Sequence, residues 1–297
     1  MAAEPVRIIF DTDIGNDIDD VLALAILHAF ESRGEAKLLA VTITKDNRWA
    51  APAASAINTF YGRASIPVGA VRNGVTREDG KYNQVIADRY PHASKFDEAV
   101  PVLRRALESS PDGAVVIVQV GFSTNLAQLI SERGGSELAT KKVKLLVVMA
   151  GDFTRPDYLE YNVKEDVAAA KVLFEKWPTP IVASGFEIGR FIKYPSRSIE
   201  NDFAWTPRSP VVDGYRAYMK MPYDRETWDL TAALYAVRPD AGYFGLSQPG
   251  TIIVGQKGET TFAPAPQGRH RYLTVNDTQR ARILEAFLYL ATQPARP

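Results

Sequence analysis

Five carboxylates crowd into one ten-residue stretch, Asp11, Asp13, Asp17, Asp19 and Asp20, directly after the apolar run Val6 to Phe10. That run predicts a buried strand, and Val21-Leu22-Ala23-Leu24-Ala25-Ile26-Leu27 just beyond it predicts a helix. The acids therefore fall at the carboxyl end of a first strand and the start of a first helix, where open α/β proteins bind their ligands. A helix N-terminus welcomes one or two acids through its dipole and free amides. Five like charges so close repel one another unless a cation or shared protons neutralise some of them. Surroundings made only of carboxylate oxygen favour a hard cation, Ca²⁺ or Mg²⁺. The plainer use, a helix cap with solvated neighbours, covers Asp11 or Asp19 in part.

Other polar groups sit at the ends of later apolar runs. Gly121-Phe122-Ser123-Thr124-Asn125 follows one such run and opens a helix, with Ser123 as an ordinary N-cap. Gly151-Asp152 follows another, and Glu160-Tyr161-Asn162 places two hydrogen-bonding side chains in the next loop. Asp46-Asn47 after the second run reads as a turn or as a site. Asp229, after Trp228, reads as a first-turn helix acid.

The elements that must carry these residues alternate. Strands are predicted at Lys37 to Thr44, Pro67 to Val71, Ala114 to Val120, Val143 to Ala150 and Pro180 to Ser184. Helices are predicted at Ala50 to Tyr61, Glu98 to Ser109, Ser123 to Arg133 and Glu165 to Trp177. Near-continuous apolar strands separated by helices imply an α/β fold, an open, mostly parallel sheet flanked by helices. From Asn201 the alternation weakens into a decorated C-terminal third. It holds helices near Pro210 to Lys220 and Asp229 to Val237, β-rich segments near Thr251 to Val254, Glu259 to Ala263 and Arg271 to Val275, and a last helix from Asp277 to Leu290. No repeat or linker divides the 297 residues, so a single domain over 1–297 is expected.

Composition narrows the function. Thirty-five basic and thirty-five acidic side chains balance, with no long basic run, so no nucleic-acid partner is expected. No apolar run approaches the ~20 residues of a membrane span, so no membrane partner is expected either. Absent cysteine removes disulfides, thiolate metal sites and a cysteine nucleophile. Met1-Ala2-Ala3-Glu4-Pro5 lacks the pattern of a signal peptide. A cytoplasmic location is expected, or a periplasmic or exported one if a leader was removed.

Together these motifs resemble the nucleoside hydrolases, the calcium-dependent N-ribohydrolases of inosine–uridine preference. Their Asp-x-Asp-x-Gly-x-Asp-Asp opening is matched by Asp11, Asp13, Gly15 and the pair Asp19-Asp20, with two extra residues that let Asp17 compete with Asp19 for the inner position. Their Gly-Pro-Leu-Thr-Asn segment is matched by Gly121 to Asn125, and their Glu-Phe-Asn segment by Glu160-Tyr161-Asn162. Asn47 matches an asparagine after the second strand, and Asp229 a late aspartate that closes the calcium shell. The matches span residue 6 to about 237 in the family's order. The family usually carries a histidine directly before that late aspartate, and Trp228 stands there instead. A His-Gly segment seen in many members is also missing. Only His28, His92 and His270 occur in the chain.

The resemblance implies Ca²⁺ held by Asp13, Asp20, Asp229 and the Thr124 carbonyl, with Asp17 as a further candidate. It implies a water on the metal with Asp13 as its general base, and an oxocarbenium-like state as the N-glycosidic bond breaks. Asn47, Glu160, Asn162 and the inner acid, Asp17 or Asp19, would hold the riboside substrate, and Trp228 either stacks on its base or packs. A homo-oligomer, dimer or tetramer, is the expected assembly. Two other classes fit parts of the pattern. The start Asp11-Thr12-Asp13 also fits a Mg²⁺-dependent aspartate-nucleophile phosphatase, with Asp152 to Asp157 as its late acidic motif. A non-catalytic, calcium-dependent nucleoside- or sugar-binding protein would fit the loss of the histidine.

Overall fold

Side chains alternate across a strand, and the central strands use both faces. Ile8 and Phe10 pack into one apolar cluster and Ile9 into another. Val116, Val118 and Val120 follow Phe10, whereas Val115 and Ile117 follow Ile9. A sheet buried on both faces needs helices on both, which is what parallel strands with crossover connections supply. The computed structural model describes residues 4–294 in these terms, so part of the stretch read above for a leader, residues 1–3, lies outside the described residues.

In chain order the strands are β1 (Val6–Thr12), β2 (Ala36–Lys45), β3 (Val68–Val75), β4 (Asp97–Glu98), β5 (Val115–Gln119), β6 (Val143–Met149) and β7 (Ile181–Ser184). Then come β8 (Lys193–Tyr194), β9 (Arg225–Glu226), β10 (Gly245–Leu246), β11 (Gly250–Val254), β12 (Thr260–Pro264) and β13 (His270–Thr274). The main sheet runs β12-β11-β13-β7-β6-β5-β1-β2-β3-β4, with β10 on β13, and β8 pairs β9 apart from it. From β13 to β4 every neighbouring pair is parallel. β11 and β12 extend one edge as an antiparallel hairpin.

The chain builds outward from β1 through β2, β3 and β4, then returns to lay β5 on the other side of β1. Strand order reverses between β1 and β5, and crevices form at the carboxyl ends of strands flanking such a reversal. The helix Asp19–Ser32 leaves β1 at that point and is buried from Asp19 to Phe30. Its neighbour is the helix Trp228–Val237, buried from Asp229 onward. Both are rich in Ala and Leu, which favours helix and permits close approach.

The structure also departs from the expected elements. The helix expected over Glu165 to Trp177 is two, Tyr161–Glu165 and Val167–Lys176, because Asp166 leaves helical dihedrals and caps the second by accepting from Ala169 N. Helices Asn83–Arg89 and Gly135–Lys142 were not expected from periodicity. The β-rich segment expected near Arg271 to Val275 is β13, which pairs in parallel with β7 inside the main sheet.

Candidate active site

Asp11 and Asp13 reach different places because Asp13 lies past the end of β1, where the chain turns at Gly15. Asp11, fully buried, accepts from Thr42 Oγ1 at 2.6 Å and Asn125 Nδ2 at 2.8 Å, pinning β1 to β2 and to the segment after β5. Burial pushes its pKa up to about 7. Thr12 Oγ1 donates to Asp20, tying the strand end to the first helical turn. Asp13, beyond the strand, turns into a cleft of about 480 Å³. The turn depends on Gly15, whose φ of 122° suits glycine and whose added Cβ would lie 2.2 Å from Asn83 Nδ2.

Asp19, Asp20 and Asp229 each offer a carboxylate oxygen within 4.8 Å of the others'. They come from the first turns of two adjacent helices, so two positive helix ends converge on them. Asp229 N donates to Asp19 Oδ2 at 3.1 Å across that junction. Burial, then mutual repulsion, pushes the carboxyls of Asp20 and Asp229 well above their usual range, and Asp19 is raised chiefly by burial. Asp13 lines the same cleft and rises to about 6 through burial, offset in part by the Asn16 hydrogen bond and the charge of Lys45. A buried, oxygen-only donor set of this charge fits a hard divalent cation such as Ca²⁺.

The opposite wall comes from the ends of β5 and β6 and the loop after them. Glu160, buried, accepts from Gly151 N at 3.1 Å, Asn162 N at 2.9 Å and Val163 N at 3.2 Å. Burial outweighs these bonds and lifts it to about 7. Asn162 Nδ2 donates to the carbonyls of Val120 at 2.7 Å and Met149 at 3.1 Å, joining the two strand ends. Trp228 closes a third side. Its Nε1 donates to Phe186 O at 2.8 Å, and its ring stacks on Phe186 at 5.0 Å. Gly189 permits that approach, since a Cβ there would lie 2.4 Å from Trp228 Cα.

Asp13, Asp17, Asp19, Asp20, Glu160, Asn162, Trp228 and Asp229 therefore line one cleft. Three expected residues stand differently. Thr124 is not on the cleft wall: it begins the helix Thr124–Ser131, and its hydroxyl is spent on Asp166 at 2.6 Å. No residue of the segment Gly121 to Asn125 lines the cleft, whereas Val120, directly before it, does. Asn47 is also off the wall, its Nδ2 donating to Arg77 O, Glu78 O and Asp79 Oδ1, so it anchors the loop whose residues 78–81 line the cleft. Asp17 reaches the cleft rim but lies outside the three-carboxylate group, because Arg225 clasps it with Nε at 2.8 Å and with Nη2. Asp19 stands in the group instead.

Sequence reasoning passed over Lys45, Asn16 and Phe186, which line the cleft. Their signal was positional, since Lys45 and Phe186 stand at or just beyond the carboxyl ends of β2 and β7. None of the three histidines lines it. His28 is buried against Tyr61 and Asn58, and burial drops it to about 3. His92 is exposed. His270 lies near the amino end of β7, accepting from Ile252 N at 3.0 Å. Asp152, the late acid of the phosphatase alternative, is consumed by Thr154 and Arg155 and does not line the cleft.

Residues 8–285 match the family model described as inosine-uridine preferring nucleoside hydrolase, and the chain belongs to that family. It is therefore an N-glycosyl hydrolase of the nucleoside hydrolase kind, within a metal-dependent family. Among solved structures it resembles a purine-preferring ribonucleoside hydrolase from Gardnerella vaginalis, with TM-score 0.78, 18% identity, and 97% and 99% of the two chains covered. A plant nucleoside hydrolase, PpNRh1, gives TM-score 0.75 at 20% identity, covering 98% of this chain and 100% of that one. The inosine-uridine preferring enzyme from Bacillus anthracis gives 0.73 at 18% identity, covering 96% and 99%. At such identities these likenesses speak for the fold. Curated protein sequences yield no match. Among the described residues no helix is long and apolar enough to cross a membrane.

Proposed function

We propose that this enzyme hydrolyses the N-glycosidic bond of ribonucleosides with Ca²⁺ as its cation and Asp13 as its general base. The observation that carries this reading is the convergence of Asp13, Asp19, Asp20 and Asp229 on one wall of a cleft whose other walls are Glu160 with Asn162, and Trp228. Asp20, Asp229 and Asp19 would hold the cation, with Asp13 and the Val120 carbonyl as the remaining oxygen donors on the wall. Bound there, Ca²⁺ would orient a water and lower its pKa.

The residues of the chain divide the remaining work. Asp13 takes the proton of the attacking water as its oxygen bonds to C1′ and the C1′–N bond breaks. Glu160 and Asn162, locked by backbone hydrogen bonds, hold the ribose hydroxyls and so align C1′ with the water. Asn47 acts one step back, by fixing the loop over the cleft. Trp228 offers a stacking face to the departing base, whose proton does not come from an imidazole, since none of the three histidines lines the cleft. A screen of purine and pyrimidine nucleosides with ribose release as the readout tests this function. Absence of ribose from every substrate would overturn it.

A further inference from the structure

Asp13 has one side-chain hydrogen-bond partner, Asn16, whose Nδ2 donates to Asp13 Oδ2 at 2.7 Å. The Asn16 amide is itself held from the far side, because Lys45 Nζ donates to Asn16 Oδ1 at 2.7 Å. The order of these groups leaves only one amide orientation. An ammonium can only donate and an ionised carboxylate can only accept, so the amide between them must turn its oxygen to Lys45 and its N–H to Asp13. One carboxylate oxygen of Asp13 is thereby occupied and the other is left for the water.

Lys45 has no evident structural reason to be where it is. It ends β2 with 1% of its surface exposed, and burying an ammonium is costly without a close counter-charge. Its direct ionic partner is Glu78 at 3.2 Å, whose side chain is 65% exposed, so that pair contributes little. Its stem packs beside Gly15, where an added Cβ would lie 3.2 Å from Lys45 Cδ. Its charge also acts on the carboxylate of Asp13, and its buried hydrogen bond goes to the Asn16 amide.

We propose that Lys45 and Asn16 are positioning residues for the reaction: Lys45 orients the Asn16 amide, and the amide fixes Asp13 so that a single oxygen faces the water. This rests on Asp13 being the base. Both residues act on the step in which the proton moves, so their loss lowers kcat by a larger factor than it changes KM or the Ca²⁺ affinity to which Asp13 also contributes. Because they act in series, losing both costs no more than losing one.

The test compares Lys45→Met, Asn16→Ala, the double variant and Asp13→Asn for kcat and KM on a cleaved nucleoside, with Ca²⁺ binding measured by calorimetry. The expected result is a roughly 10- to 100-fold fall in kcat for each single variant, as for other residues that orient a site from behind, with the double variant matching the worse single one. Unchanged kcat in either single variant, or a double loss equal to the product of the two, overturns the relay. If Lys45→Met does not fold, as judged by circular dichroism, Asn16→Ala on the half-buried loop decides alone. Asp13→Asn separates the two readings. Its full activity overturns the base assignment, whereas an inactive Asp13→Asn beside fully active Lys45→Met and Asn16→Ala overturns the relay alone.

Discussion

Asp13 and Trp228 make opposite demands on chemistry, and each gives a distinct prediction. Asp13→Asn keeps an oxygen ligand but cannot take a proton, so kcat should fall by roughly 10²–10⁴-fold, the usual worth of a general base, with substrate binding largely preserved. Steady-state kinetics beside equilibrium binding of a non-hydrolysed riboside analogue checks this, and near-normal turnover would mean another base. Trp228 holds its ring by Nε1 and by the stack on Phe186, so it is prepared for a planar leaving group. Base–aromatic stacking is worth about 1–3 kcal/mol. Trp228→Ala should therefore slow natural nucleosides far more than ribosyl fluoride, whose small leaving group offers no ring to stack. Equal slowing of both would show that the ring only packs. At this scale the sequence was most legible where a side chain lines the cleft. Asp20, Asp229, Glu160 and Asn162 were visible as acids and amides at strand and helix ends. A backbone carbonyl carries no such mark, which is why Thr124 was expected on a wall that Val120 occupies. Lys45 fell just past the strand expected to end at Thr44, and nothing in a sequence says that its charge is buried.

Two elements bring the acids together, and glycines let them approach. The helix Asp19–Ser32 carries Asp19 and Asp20, and Trp228–Val237 carries Asp229 from more than two hundred residues away. Their contact is the site's foundation, and apolar burial along both helices holds the like charges close. Removing one acid should thus have two effects of opposite sign. In chelator, Asp229→Asn should melt higher than wild type, since a buried repulsion is gone. With Ca²⁺ added, the gain in Tm seen for wild type should shrink in the variant, because ligand-linked stabilisation follows affinity. Thermal scans with and without Ca²⁺ measure both, and an equal Ca²⁺ gain in the two proteins would place the cation elsewhere. Gly15→Ala should cost about 1–3 kcal/mol through its left-handed φ and its contact with Asn83. Element identity was readable because the largely buried strands β1, β5 and β6 alternate with helices. The loop 76–82 and the break at Asp166 were not, since tertiary hydrogen bonds fix them: Tyr82 to Gly15 N and Asp17 O, Asp166 to Thr124 and Ala169 N. The partner of β13 was not legible, because β7 lies far back in the chain.

The whole molecule buries carboxyls that have no cation to explain them, and this sets its pH dependence. Asp11, Glu160 and Glu187 are each lifted to about 7, chiefly by burial. A carboxyl whose folded pKa lies above its unfolded value binds more protons folded than unfolded between the two. Stability therefore falls as pH rises from about 4 to about 7. Urea midpoints should be higher at pH 5 than at pH 8, and Asp11→Asn should flatten the difference. A midpoint that rises towards pH 8 would contradict these assignments. Such acids are affordable only in a fold with a large two-sided core, and the family's sheet supplies one. Its reversal of strand order between β1 and β5 turns that core into a cleft. The most direct measurement of what the cleft does is ribose release from a panel of nucleosides by the purified enzyme, by enzyme stripped with chelator, and by stripped enzyme given Ca²⁺ again. Ribose should appear in equal amount to free base, vanish on stripping and return with Ca²⁺. Turnover that survives complete stripping, or free base without ribose, would contradict a calcium-dependent N-ribohydrolase.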